Sequence, residues 1–227
     1  ILPQGCRRQL GEHQENLETG VKAAAYGGFT GIALMPSTLP PLDSKGGIEH
    51  IKSKTKNFLV DVFPMGTVSK ELKGKEISEM YDMHNAGAIA FTDDKKSLQD
   101  ANLLKTALLY AKGFNALVIN FPNDKNIARS GVMNEGNVST ELGLKGIPSL
   151  AEELMVSRDL FLAEYCQTKI HFATVSTAKT VELIRKAKKG GINVTAEVAS
   201  HQLLLDDSAL KDFDSNYKVL PPLRTKE

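Results

Sequence analysis

Short apolar runs alternate with helical periods along most of this chain. ENLETGVKAAAYGG (Glu15 to Gly28) is Ala-rich and closed by a glycine pair, so it predicts a helix. FTGIALMP then reads as a buried strand ending at Pro36, and FLVDVFPMG as a second strand before the helical KGKEISEMYDMHNAG. AGAIAFTDD gives a third strand, SLQDANLLKTALLYAKG a helix, and ALVIN a fourth strand. The segment from Phe121 to Pro148 shows no clear period and reads as irregular; its length points to a functional loop. SLAEELMVSRDLFLAEYCQ is the longest amphipathic helix. KIHFATV is the fifth strand, STAKTVELIRKAKKGG a helix with basic residues in its last turn, and GINVTAEV the sixth strand. The end, DDSALKDFDSNYKVLPPLRTKE, reads as a short helix and then a loop.

A strand–helix unit repeated this often implies a parallel sheet covered by helices. The two candidates are a doubly wound open sheet and a (β/α)₈ barrel. No GxGxxG or GxxxxGK[ST] stands at a strand-to-helix turn, which removes the usual nucleotide-binding reasons for the open sheet. The expectation is therefore an α/β protein with a (β/α)₈ TIM-type barrel, formed by residues 1–227 as one domain. Strands are expected near Gly31–Met35, Leu59–Phe63, Ala88–Phe91, Ala116–Asn120, Lys169–Ala173 and Asn193–Val198. An eighth strand and a flanking small β-domain are not seen, so the barrel reads as incomplete.

The bulk numbers narrow the function classes. Lys+Arg number 28 against Asp+Glu 27, a net charge of +1, and aromatics make up 6%. With no basic block, this balance argues against a nucleic-acid surface. No run of eighteen apolar residues and no secretory signal pattern is present. Cys6 and Cys166 are far apart and form no CxxC, which suits reduced thiols and a cytoplasmic setting.

Five stretches, EHQENLETGVKAAAYGGFTGIALMPST, GAIAFTDD, MNEGNVSTELGLKGIPSLAEE, VSTAKTVELIRKAKKGGINVTAEV and YKVLPPLR, jointly resemble the dihydroorotases, cyclic amidohydrolases of pyrimidine synthesis. The resemblance runs in family order from about His13 to Arg224. It implies a metal-dependent barrel that interconverts carbamoyl aspartate and dihydroorotate, with one or two zinc ions at the C-terminal strand ends. Opening a cyclic amide needs an activated water and a polarised carbonyl, and zinc held by histidines and a carboxylate supplies both. An anionic substrate also needs a guanidinium and amides to orient it.

Carried onto this chain position by position, the family's site is depleted. The first-strand His-x-His falls on Pro3 and Gly5 by an ungapped count, and the arginine of that motif falls on Arg7. Substitution and omission of residues between Pro3 and Arg7 both remain open. One of Asp93 and Asp94 matches the carboxylate that contacts the metals; the alternative is that the pair caps the next helix. The next histidine ligand aligns with Phe121, which has no lone pair. In IHFATVST the family's ligand is the second histidine of His-x-x-His, and Thr174 stands there, so His171 is the non-ligand histidine. The substrate-orienting Met-Pro-Asn-Thr is MPST, with Ser37 for asparagine, and the asparagine before Pro-Pro-Leu-Arg is Leu220.

Two functions from different classes follow from the resemblance. One is an active zinc dihydroorotase. The other, which the replaced positions Phe121 and Thr174 favour, is a catalytically silent dihydroorotase-like protein. It needs no zinc cofactor and forms an oligomer, as the structural partner of aspartate carbamoyltransferase.

Overall fold

A computed structural model describes residues 16–226. The chain divides into two compact units, Ile1–Ile119 and Asn120–Glu227.

In the first unit, helix α1 (Leu17–Tyr26) opens on a capping box. The Thr19 N–H donates to Asn16 Oδ1, and the Asn16 N–H donates to Thr19 Oγ1, both at 2.9 Å. Strand β1 (Gly31–Leu34) leads through α2 (Lys45–Thr55) to β2 (Asp61–Pro64), and the two strands pair in parallel from Gly31↔Asp61 to Leu34↔Pro64. α2 has no counterpart in the sequence reading, because its buried stripe is sparse, only Ile48, Ile51 and Thr55. The expected helix from Lys73 to Gly87 shortens to α3 (Met80–Ala86). The residues before it form a 3₁₀ turn at Lys70–Leu72 and an antiparallel bridge between Ser69 and Ile77.

Strand β3 (Phe91–Thr92) lies parallel to the start of β4 (Val118–Asn120), with helix α4 (Ala101–Lys112) between them. Gly66 is required at the exit of β2. A Cβ there would lie 2.8 Å from the Phe91 ring and 2.9 Å from Met83 Sδ. The core of the unit is built from Ile48, Val60, Met80, Met83, Phe91, Leu104 and Leu108.

In the second unit, the segment from Phe121 to Pro148 is not irregular. It holds α5 (Lys125–Ala128), β5 (Met133–Asn134), α6 (Asn137–Glu141) and β6 (Gly146–Ile147), with β5 and β6 parallel. Two-residue strands are too short to carry an alternation signal, which explains why the sequence hides them. Small apolar clusters fix this region: Ala128, Ile147 and Ala151 in one, Met133, Val138 and Leu210 in the other.

Helix α7 (Leu150–Cys166) is the longest, as expected. Its buried face includes Glu152 and Asp159 as well as Met155, Val156 and Leu160. β7 (Ile170–Phe172) and β8 (Val194–Ala196) pair in parallel around α8 (Ala178–Lys189), which Thr177 caps. The final segment forms 3₁₀ turns at Ser200–Leu203, Asp207–Leu210 and Ser215–Tyr217 in place of the expected helix. Among the described residues no helix is long and apolar enough to cross a membrane.

Candidate functional site

The residues picked out by sequence sit just past strand ends. In the first unit, β3 delivers Asp93 and Asp94, both buried. The backbone N–H groups of Val68 and Ser69 each donate to Asp93 Oδ1 at 2.9 Å, and the Ser69 hydroxyl donates to Oδ2. Burial raises the Asp93 pKa, against the lowering effect of these bonds. Both oxygens of Asp93 are thus engaged in holding the loop that follows β2.

Asp94 is placed differently. Its backbone is left-handed, with φ 55°, and its N–H donates to Thr92 Oγ1 at 3.1 Å. Ser37, at the end of the β1 segment, donates its hydroxyl to Asp94 Oδ2 at 2.5 Å. The structure therefore brings together Ser37 and Asp94, 57 positions apart in the chain. Neither aspartate caps the following helix. Asp100 does that, accepting from the Asn102 and Leu103 N–H groups.

In the second unit, Ala173 N–H donates to the Asn120 carbonyl at 3.0 Å, which sets the ends of β4 and β7 side by side. Phe121 directly follows β4, and Thr174 lies two residues past the end of β7. Phe121 is 1% exposed, and Thr174 takes a left-handed φ of 50°. Neither an aromatic ring nor a threonine hydroxyl offers a zinc ion what an imidazole does. His171 lies inside β7, where its Nδ1 is 2.7 Å from Oγ1 of Thr195, its register partner on β8. Its Nε2 is 3.7 Å from Glu197 Oε2. That cross-strand setting suits a structural histidine. Arg7 lies outside the described residues.

Two polar clusters of this unit escaped sequence reasoning. In the first, Arg224 Nε donates to Ser176 Oγ at 3.0 Å. Its Nη1 donates to Asn134 Oδ1 and to the Ile147 carbonyl, and its Nη2 faces Glu152. Glu152 in turn accepts from the N–H groups of Ser176 and Thr177 and from the Ser176 hydroxyl. Every guanidinium nitrogen is committed within the protein, so the cluster is a closed knot and not an open anion site.

In the second, Asn120 Nδ2 donates to Asp159 Oδ2 at 2.6 Å, and Arg158 Nε donates to Oδ1 at 2.8 Å. Burial pushes the Asp159 carboxyl up to about 6, with Arg158 opposing. The only sequence signal for either cluster was an acidic residue on the apolar face of α7.

Among the described residues no three His, Cys, Asp or Glu side chains converge as a metal-ligand set. Asp94 has carboxylate lone pairs to offer, but no described imidazole joins it. Among the described residues, then, the donor set of a zinc centre of the kind the resemblance implies is not assembled.

A family model described as dihydro-orotase-like matches residues 4–180. The chain is 50% identical over 216 residues to a dihydroorotase of Acetivibrio thermocellus, covering 95% of this chain and 51% of that one. It is 46% identical over 217 residues to a dihydroorotase of Syntrophus aciditrophicus, with the same coverage. The chain thus spans about half the length of the curated relatives it matches. Among solved structures, an L-hydantoinase (dihydropyrimidinase) from Arthrobacter aurescens matches with a TM-score of 0.78 at 20% identity, over 93% of this chain and 48% of that one. That likeness shows the fold: parallel α/β units of the amidohydrolase barrel type, as the strand–helix repeat predicts.

Proposed function

This chain belongs to the dihydroorotase family of amidohydrolases, and we propose that it serves pyrimidine biosynthesis as a dihydroorotase-like barrel whose zinc centre has been dismantled. The observation that carries this reading is the pair of strand ends in the second unit. Phe121 and Thr174 each follow one partner of the Ala173–Asn120 hydrogen bond that joins the exits of β4 and β7, and the family resemblance calls for histidine ligands at both positions. A carboxylate without imidazole partners gives up most of the roughly 10–16 kcal/mol with which a complete structural zinc site binds. Asp93 adds to the argument, because its oxygens are occupied by the Val68–Ser69 segment. In this reading the protein acts through its surface, as an oligomeric, zinc-free partner of aspartate carbamoyltransferase in the cytoplasm.

A second reading has its own support. Relatives at 44–50% identity carry the name dihydroorotase, which favours a zinc-dependent hydrolase of dihydroorotate. Elemental analysis of the full-length protein purified without chelator separates the two, run beside a dihydroorotate hydrolysis assay. The silent reading expects sub-stoichiometric zinc, no turnover, and co-purification with the transcarbamoylase that chelator leaves intact. Stoichiometric zinc that leaves together with activity on chelation would establish the enzyme instead.

A further inference from the structure

Helix α7 is apolar on two sides. Met155, Val156 and Leu160 lie on its buried face, while Leu150, Leu154, Phe161 and Tyr165 form a second row that is 48–75% exposed. Their spacing of four, seven and four positions keeps that row on one outward face. A helix that only covers a sheet carries polar residues there.

The last turns of α8 hold the complementary chemistry. Arg185, Lys186, Lys188 and Lys189 are all exposed, and none has a carboxylate partner among the described residues. Cations suit the C-terminal end of a helix. Four of them within five positions also set like charges three and four residues apart, which costs stability. An anionic partner relieves that cost.

The topology puts both features at one end of the second unit. Tyr165 and Lys189 each stand five positions before one of two register partners, Ile170 of β7 and Val194 of β8 (170 − 165 and 194 − 189). Since α7 and α8 pack together, Phe161, Tyr165 and the basic turns share the end where β7 and β8 begin. Glu164 is the acid of the last turn of α7, so this end keeps an excess of positive charge. The chain as a whole is balanced at +1, which makes the excess local and too small a field for a nucleic acid. Exposed aromatic rings beside arginine and lysine fit a protein contact, with acidic residues opposite them to set partner choice and on-rate.

We propose that this end of the second unit docks an acidic segment of another protein. Apolar side chains of that segment seat against Phe161 and Tyr165, and its carboxylates meet Arg185 and Lys189. The patch lies before the start of β7 and Thr174 lies past its end, so the proposal does not depend on whether the barrel binds zinc.

Fluorescence anisotropy of the full-length protein tests it, with a labelled amphipathic peptide that carries leucines on one face and glutamates on the other. The same peptide with lysines for glutamates, a single-stranded oligonucleotide and phosphatidylserine vesicles are the competing probes. The expected result is micromolar affinity for the glutamate peptide, at least about tenfold tighter than for the others. Arg185→Glu with Lys189→Glu should weaken that binding by about tenfold or more and transfer the preference to the lysine peptide, which a loss of folding cannot imitate. Phe161→Ser with Tyr165→Ser should weaken it by about tenfold while the far-UV circular dichroism stays unchanged. Full-length protein that ignores the glutamate peptide, or binds it equally well in both variants, overturns the proposal. So does tighter binding of the oligonucleotide or the vesicles, which would assign the patch to a different class of partner.

Discussion

Arg224 Nη2 lies 3.7 Å from Glu152 Oε2, with side-chain exposures of only 11% and 3%. The two residues are 72 positions apart in the chain (224 − 152), and between them they gather the β5 and β6 strands, the start of α8 and the Pro-Pro-Leu-Arg segment. Burial lowers the Arg224 pKa and Glu152 opposes that shift, so the pair is stable only as a pair.

Breaking it from one side should therefore be severe. Arg224→Met leaves Glu152 buried with the Ser176 and Thr177 donors but no cation, and Glu152→Gln leaves a buried guanidinium without its anion. Each is expected to destabilise the second unit by roughly 3–5 kcal/mol. The double variant should be less destabilised than the sum of the two. Urea unfolding of the four-member cycle measures this, and additive losses would show that the pair does not couple.

Asp93 is expected to act on the fold through one loop. Asp93→Ala removes the acceptor for the Val68 and Ser69 N–H groups and for the Ser69 hydroxyl. Leaving buried donors unpaired costs about 1–3 kcal/mol each in unfavourable cases. Amide exchange at Val68 and Ser69 should accelerate far more than exchange in β7. Equal acceleration in both would mean global loss rather than release of the loop.

The stability of the second unit should depend on pH through Asp159. Its carboxyl moves from 3.8 to about 6 on folding, so the folded chain holds that proton more tightly than the unfolded chain. The sign follows. The contribution is fully present below about pH 4 and is lost as pH rises through about 6, amounting to roughly 3 kcal/mol. Asp159→Asn keeps an acceptor for Asn120 Nδ2 without the charge. Relative to the wild type, this variant should gain stability between pH 4 and pH 7. A difference that stays flat over that window would place the carboxyl at its ordinary value.

How much of this was readable from sequence depends on the range of the forces involved. The six expected strands all have counterparts, because short stretches rich in apolar residues between turn signals leave a local mark. β3 shows the limit: Ala88 and Ala90 are buried but lie outside the two residues that pair. Ser37 and Asp94 were both chosen from the family resemblance, yet nothing local says that a hydroxyl 57 positions away meets that carboxylate. The same holds for Glu152 and Arg224. A buried acid in an apolar helical stripe looks like a surface residue out of phase until its partner is placed. His171 went the other way. Its structural role was legible from the motif, and the structure adds the partner, Thr195.

Placing imidazoles at positions 121 and 174 gives the most direct test of the proposed dismantled centre, and the packing says how it should be read. Phe121 is 1% exposed, so Phe121→His exchanges a well-packed ring for a buried polar one and should destabilise the apo protein by roughly 3–5 kcal/mol. Thr174→His keeps the left-handed backbone of that position, φ 50°, where a residue without β-branching is better tolerated than threonine. Its effect on stability should lie within about 1 kcal/mol. Each position directly follows one partner of the Ala173–Asn120 backbone hydrogen bond, so in the double variant both imidazoles start from neighbouring backbone positions. Zinc should then stabilise the double variant in thermal unfolding and leave the wild type unmoved, with a gain that grows with the logarithm of free zinc. A wild type that zinc stabilises as much as it does the double variant would mean that a metal site exists without these histidines, and the dismantled-centre reading would fall.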